Sequence, residues 1–420
     1  MVKQASLKEN LLSLFLLQGS NYIIPLITLP YLVRVLGPEK FGLIAFAQGF
    51  VQYFIILTDY GFNLSATRLI ALNKEKVSEI FCATMLVKMA LMIVSLLVVV
   101  ITVSMVPKFR NDWLVYFLAF LSVPGSVIFP VWFYQGMEQM RYISIVSISA
   151  KLLSAICIFI FVHEQGDYLR AVAIQSSGIL VAGLLGIKMV WKVAPLRVKL
   201  PSRQYIIETL LEGWYVFIST AAIGLYTTSN IFILGLLTNN ETVAFFSVAD
   251  RIVSAAKGLI GPVSQAVYPR INALAKDSAK EAFQLIRKVL VWQGCSFFVI
   301  SIFLFLLAEP LVTVLFSAKY IQSVVVLRWI AFLPFIIALS NVLGVQTMLT
   351  FGFNAQFAKI VIMSGIVNLT LLVPLSILMG AKGAAISVMT TELIVTIVMS
   401  IVLVNKGYNL FSNKLEIYEG

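Results

Sequence analysis

Charge is scarce in this chain. Asp, Glu, Lys and Arg make up 12% of its 420 residues, about half of what keeps the surface of a soluble domain wet. Sixty per cent of the residues are apolar and mean hydropathy is +0.97, so much of the surface faces lipid. Histidine is nearly missing: His163 stands alone, and Cys82, Cys157 and Cys295 each lie inside an apolar run. None has metal-ligand spacing, so no metal centre is expected. The phosphate-cradling pattern Gly-x-x-x-x-Gly-Lys-Ser/Thr does not occur, and with it goes the P-loop nucleotide site. No cofactor is expected. No connection is long enough for a folded domain, which argues against polymerases and glycosyltransferases that carry a large external loop.

The charge that is present is unbalanced, with 31 Lys and Arg against 19 Asp and Glu. In a soluble protein an excess of +12 would suggest nucleic acid. Here most of the cations sit in short segments between apolar runs, so they are read as topology and no nucleic-acid partner is expected.

About 20 apolar residues cross a bilayer as a helix, and open strands cannot. Twelve such runs are predicted: 11–33, 42–64, 79–105, 113–134, 143–162, 169–191, 211–236, 243–268, 289–308, 323–349, 357–379 and 383–404. Leu311–Phe316 is too short to cross. The basic N-terminal start lacks a small-residue cleavage site, so it is read as span one and not as a removed signal peptide. With a cytoplasmic N-terminus, more than twice as many connecting Lys and Arg fall inside as outside. Both termini are therefore expected in the cytoplasm, with the longest basic connections, 192–210 and 269–288, on that side.

The two halves look related. Residues 36–76 slide onto 238–278 without a gap. Glu39, Ala47, Val51, Leu57 and Arg68 meet Glu241, Ala249, Val253, Leu259 and Arg270, and Ala71, Leu72 and Lys74 meet Ala273, Leu274 and Lys276. Six spans per half preserve orientation, as in a parallel repeat. Residues 193–207 hold two prolines and three basic residues and are read as the linker between lobes at 1–200 and 201–420.

Span eight carries Ser247, Asp250, Ser254, Lys257, Gly261, Ser264 and Tyr268 at spacings of three and four, one helix face. A polar face this long must meet protein or water. Helix packing explains its Ser and Gly but not Lys257, so the face is read as lining a central cavity. The repeat-related positions Gln48, Gln52 and Asp59 make a second polar face, and two such faces across a cleft suit alternating access. Lys88, about ten residues into span three, sits near mid-bilayer. It is either a cavity cation or an ion-pair partner, with Glu392 as one candidate acid. Lys151 and Arg251 extend the cationic theme. Deep cations (Lys88, Lys151, Arg251, Lys257) outnumber deep acids (Asp59, Asp250, Glu392), which suits an anionic cargo such as a pyrophosphate. A carboxylate in low dielectric can load and release a proton, so the three acids are ion-coupling candidates. Asp59 and Asp250 serve equally well as counter-ions.

The runs QGSNYIIPLITLPYLVRVLGPEKFG (18–42) and TDYGFNLSATRLIA (58–71) resemble Wzx-type O-antigen flippases, in the polysaccharide transporter branch of the multidrug/oligosaccharidyl-lipid/polysaccharide superfamily. AIQSSGILVAG (173–183), FISTAAIGLYTT (217–228), QAVYPRI (265–271), LPFIIALSNVLGVQTMLT (333–350) and GAAISVMTTE (383–392) extend the likeness along the chain. The resemblance implies an all-α, MATE-like membrane protein of twelve helices, in two six-helix lobes around a V-shaped cavity. It implies ion-coupled movement of undecaprenyl-pyrophosphate-linked O-antigen units from the cytoplasmic to the periplasmic leaflet of the bacterial inner membrane, without covalent chemistry. By position, Lys88, Arg251 and Lys257 are then the first candidates for the pyrophosphate, with Lys151 behind them. Arg34 and Glu39 fall in the first motif at a helix end, where topology or gating is the simpler role. A polysaccharide polymerase and a chain-length regulator are the expected protein partners.

Three alternatives stand beside this. A MATE-type antiporter of cationic drugs would want acidic walls, contrary to the cationic excess. A polymerase would want the missing loop. A peptidoglycan-precursor flippase is usually longer. The orientation is open to a direct test: reporter fusions at Lys199 and Lys280 will read cytoplasmic and one at Asn239 periplasmic. The inverse pattern overturns it.

Overall fold

A computed structural model describes residues 7–197, 199–408 and 410. The chain ends, and with them Lys3 and Lys414 of the topological count, lie outside the described residues. Among those residues every regular element is a helix, the outcome that lipid imposes on a backbone with no water to bond. The chain divides into two compact units, Met1–Thr228 and Ser229–Gly420.

The first unit opens with α1 (Leu7–Asp59), followed by α2 (Phe62–Leu72), α3 (Val77–Met105) and the short α4 (Pro107–Arg110). Next come α5 (Trp113–Phe120), α6 (Ser122–Ile128), α7 (Val131–Gly136), α8 (Met140–Phe161) and α9 (Tyr168–Val193). A loop at 194–202 leads to α10 (Arg203–Leu237), and the boundary between units falls inside that helix. The second unit continues with α11 (Asn240–Lys257), α12 (Ile260–Asp277), α13 (Ala279–Leu306), α14 (Ala308–Leu315), α15 (Gln322–Ile330), α16 (Leu333–Asn341) and α17 (Asn354–Asn405). A π-helical segment, Val342–Met348, joins α16 toward α17.

Among the described residues eight helical stretches are long and apolar enough to cross a membrane. The two longest break internally, α1 at Gly37 and α17 at Gly380, near the expected gaps between spans one and two and between eleven and twelve. The run 113–134 is built from three short pieces, and the break between the second and third falls at Pro130, which cannot donate to a helix ladder. Expected span eight is less apolar than the rest, because α11 and α12 carry the polar face; in α10 the described residues include the apolar stretch Thr228–Leu237. The eight-residue α14 covers the segment judged too short to cross.

Packing in the first unit centres on Trp132, Phe133 and Tyr134 of α7, which meet Phe81 of α3 and Ile70 of α2. The Tyr134 hydroxyl donates to the Gly186 carbonyl at 2.6 Å, tying α7 to α9. Helices α6 and α9 approach so closely that a Cβ on Gly183 would lie 2.5 Å from the Gly125 carbonyl oxygen, the small-residue contact that replaces hydrophobic burial inside lipid. The motif at 173–183 owes its glycines to such contacts. In the second unit Phe283, Ile286 and Leu290 of α13 pack with Val342 and Met348 of the π-helical segment and Met399 of α17.

Helix α3 shows which way the bilayer lies. Met89, Ile93, Leu97 and Ile101 are exposed, whereas Ile80, Val87, Lys88, Ser95 and Val99 are buried. The apolar face is outward and the polar face inward, the reverse of a soluble helix.

At the α1 break, Gly37 adopts φ 69°, ψ 173°, a region essentially restricted to glycine. Gly37→Ala should cost about 1–3 kcal/mol and lower the thermal midpoint of the detergent-solubilised protein. Gly19→Ala should be silent, because a Cβ there meets nothing within 4 Å. Equal midpoints for the two variants would show that the break carries no strain.

Candidate functional site

Asp59 is the last residue of α1. The chain then passes through Tyr60 (φ 49°) and Gly61 (φ 73°) before α2 begins. Two consecutive left-handed residues end a helix, and a Cβ at Gly61 would also lie 2.6 Å from Val216. The break leaves backbone N–H groups of α2 without helical partners. The Asp59 carboxylate lies at this end and accepts the Asn63 side-chain amide at 2.7 Å. A carboxylate at a helix N-terminus is also favoured by the helix dipole. The Tyr60 ring stacks on Phe217 at 4.8 Å and holds the turn against α10.

Lys88 completes this arrangement. It lies on the inward face of α3, 2% exposed, with Nζ 3.7 Å from Asp59 Oδ1. Its counter-ion therefore lies in its own unit, at the end of α1, where the sequence had suggested Glu392. Asp59 is 24% exposed, so the pair has a dry end and a wetter end. Elsewhere in this unit Lys151 of α8 donates to the Asn21 side-chain oxygen. Gln48 of α1 donates to Gln175 of α9 at 2.6 Å, so one member of the predicted glutamine face is turned onto a neighbouring helix.

The second unit holds a looser pair. Lys257 Nζ lies 3.6 Å from Asp250 Oδ1, two turns away on α11, and both side chains are about a quarter exposed. At that exposure the pair is worth about 1 kcal/mol or less. Ser254 and Tyr268 on the same face are also half-buried, while Ser247 and Ser264 are buried. Arg251 is exposed, and Glu392 of α17 is half-buried. The candidate residues thus form no common cluster. Asp59 joins Lys88 and Asp250 joins Lys257, while Lys151 takes a neutral partner. Asn63, Asn21 and Gln175 complete these contacts and escaped the sequence reading. All three lie inside the quoted motifs, which is the available signal. Among the described residues no three His, Cys, Asp or Glu side chains group as metal ligands.

The ungapped repeat has a structural counterpart within each unit. Gly37, where α1 breaks, aligns with Asn239, the N-cap of α11, whose side chain accepts from Thr242 N–H. The Tyr60–Gly61 break aligns with residues 262–263, one turn after the actual break between α11 and α12 at Gly258–Leu259.

Removing one member of a buried ion pair costs about 3–5 kcal/mol, and the partial exposure of Asp59 puts the expected loss at the low end. Asp59→Asn should therefore lower the thermal midpoint, and adding Lys88→Met should recover most of it. A double variant as unstable as Asp59→Asn would show that Lys88 does not depend on Asp59.

Comparison with known proteins places the chain in a family. The family described as "Polysaccharide biosynthesis protein" matches residues 7–275. The chain is 38% identical over 397 residues to a protein of Escherichia coli (strain K12), spanning 94% of this chain and 96% of that one. It is 32% identical to one of Shigella dysenteriae, spanning 94% and 99%. Both are named "Putative O-antigen transporter". Among solved structures it is similar to the lipid II flippase MurJ in an inward closed conformation, with TM-score 0.73 at 12% identity over 94% of this chain and 87% of that one. It also matches an inward-facing multidrug resistance MATE family transporter, with TM-score 0.71 at 15% identity over 89% and 92%. At such identities these likenesses speak for the fold, a MATE-like helical membrane architecture. The chain is a multi-pass membrane protein, and it belongs to the polysaccharide biosynthesis protein family.

Proposed function

We propose that this protein is a flippase that moves undecaprenyl-pyrophosphate-linked O-antigen repeat units from the cytoplasmic to the periplasmic leaflet of the bacterial inner membrane by alternating access. The observation that carries the proposal is likeness along nearly the whole chain to two proteins named as O-antigen transporters, at 38% and 32% identity. The side chains support it chemically. Among the described residues no acid lies in ion-pair distance of Lys151 or Arg251, and Lys257 shares Asp250 in a half-exposed setting. A pyrophosphate brings several acceptor oxygens and takes such cations as partners. It competes best for the loosely held Lys257 and least for Lys88, which is sealed against Asp59.

The coupling ion acts on a carboxylate. Asp59 already accepts the Asn63 side-chain amide and faces Lys88, so its charge is held by structure. Asp250 is freer and is the first candidate for ion exchange, with Glu392 next. The protein makes and breaks no covalent bond.

Deletion in a strain that makes O-antigen tests the proposal. Single repeat units should accumulate on their lipid at the cytoplasmic face. One unit per lipopolysaccharide, already exported, would instead indicate a polymerase and overturn it. Lys257→Ala should abolish surface O-antigen while the protein stays in the membrane. Unchanged polysaccharide would remove Lys257 from the cargo path.

A further inference from the structure

At the end of the first unit that is expected to face the cytoplasm, a groove of about 1020 Å³ opens between the start of α3 and the loop at 194–202. The loop is fixed in place. Val193, Ala194 and Leu196 belong to the same buried core as Ile80 and Phe81 of α3, and the Arg197 backbone N–H donates to the Ser78 hydroxyl at 3.1 Å. The groove is walled by Lys74, Arg197 and Lys199 together with Glu75 and Glu79, all exposed. Opposite charges thus share one groove. Yet among the described residues none of the five stands in an ion pair.

We infer that this groove receives the sugar portion of the cargo before translocation, an inference that rests on the transport reading above. The mixture of charges selects the ligand class. Carboxylates only accept hydrogen bonds, ammonium and guanidinium groups only donate them, and a sugar hydroxyl does both. A polyol therefore satisfies every wall at once. A site for phosphate would keep the cations and lack the acids, because like charges face to face are costly. Depth points the same way. Trp191, 51% exposed, stands two residues before α9 ends, and indole rings settle at the membrane surface. The groove starts at Val193, just beyond that level. A pyrophosphate anchored to a membrane lipid lies among the headgroups, and the sugars it carries project past them to this height. Ligand sites commonly enclose about 300–1,000 Å³, so the groove has room for an oligosaccharide.

The test uses the purified full chain in phosphatidylcholine nanodiscs. The probe is a single repeat unit cleaved from the host's own O-polysaccharide. Saturation-transfer NMR titration gives its dissociation constant, with empty nanodiscs as the blank. Arg197→Gln should weaken binding about tenfold, and Glu75→Gln with Glu79→Gln by at least as much, as expected for lost hydrogen bonds to charged groups. These side chains are exposed, so the variants should keep the parent's thermal midpoint. Inorganic pyrophosphate should not displace the sugar. Affinity that survives the groove substitutions overturns the inference, and so does displacement by pyrophosphate. If the deletion strain traps repeat units but the unmodified chain binds no sugar, this site is overturned while the transport reading stands.

Discussion

An ammonium group that is 2% exposed inside a membrane helix must have a negative group beside it, because isolated charge in low dielectric is expensive. Lys88 has Asp59, and much of the first unit can be understood from that requirement. Asp59 reaches Lys88 because α1 stops where it does. The helix stops because Tyr60 and Gly61 turn left-handed. The turn is held by Tyr60 on Phe217 and leaves no room for a side chain at Gly61. The same carboxylate also accepts the Asn63 side-chain amide just past the break. One residue thus closes a charge account and a hydrogen-bond account together, and the motif TDYGFN describes this turn.

The second unit handles charge differently. Its stripe on α11 and α12 is half-buried, and Asp250 and Lys257 stay partly exposed to each other and to their surroundings. Because a half-exposed pair is weakly bound, an incoming anion can displace it at little cost, whereas displacing Lys88 from Asp59 would expose an unpaired buried charge. The two polar faces that the repeat relates accordingly differ: Lys88 on one side is sealed against Asp59, and Asp250 and Lys257 on the other stay half-exposed. The breaks that bracket them persist in both units, at aligned positions or within a turn.

Lipid explains the remaining organisation. Helix α3 turns Met89, Ile93, Leu97 and Ile101 outward and Lys88 and Ser95 inward. Helices α6 and α9 meet through glycine because apolar side chains gain nothing from one another when the alternative is lipid. The π-helical segment at 342–348 shifts the hydrogen-bond frame, and Thr347 returns its hydroxyl to the Val342 carbonyl at 2.8 Å.

Composition and apolar run length by themselves determined that this is a helical membrane protein, because the bilayer thickness fixes helix length and forbids open strands. Run length also located the helix boundaries around α3, α8 and α9 to within a few residues, since those helices are continuous. It could not show that 113–134 is three short pieces, or that α13 starts ten residues before the run it contains. The residues that matter at depth, Asp59, Lys88, Asp250 and Lys257, were legible as charges in apolar surroundings. Their pairing was not, since Lys88 and Asp59 lie on different helices and their approach depends on where α1 breaks. Only tertiary structure decided that Lys88 is answered from within its own unit, that Gln48 turns to Gln175, and that Lys151 settles on Asn21. Periodicity assigns a side chain to a face, but partner choice depends on the distance between helices that are far apart in sequence, and that distance is set by packing.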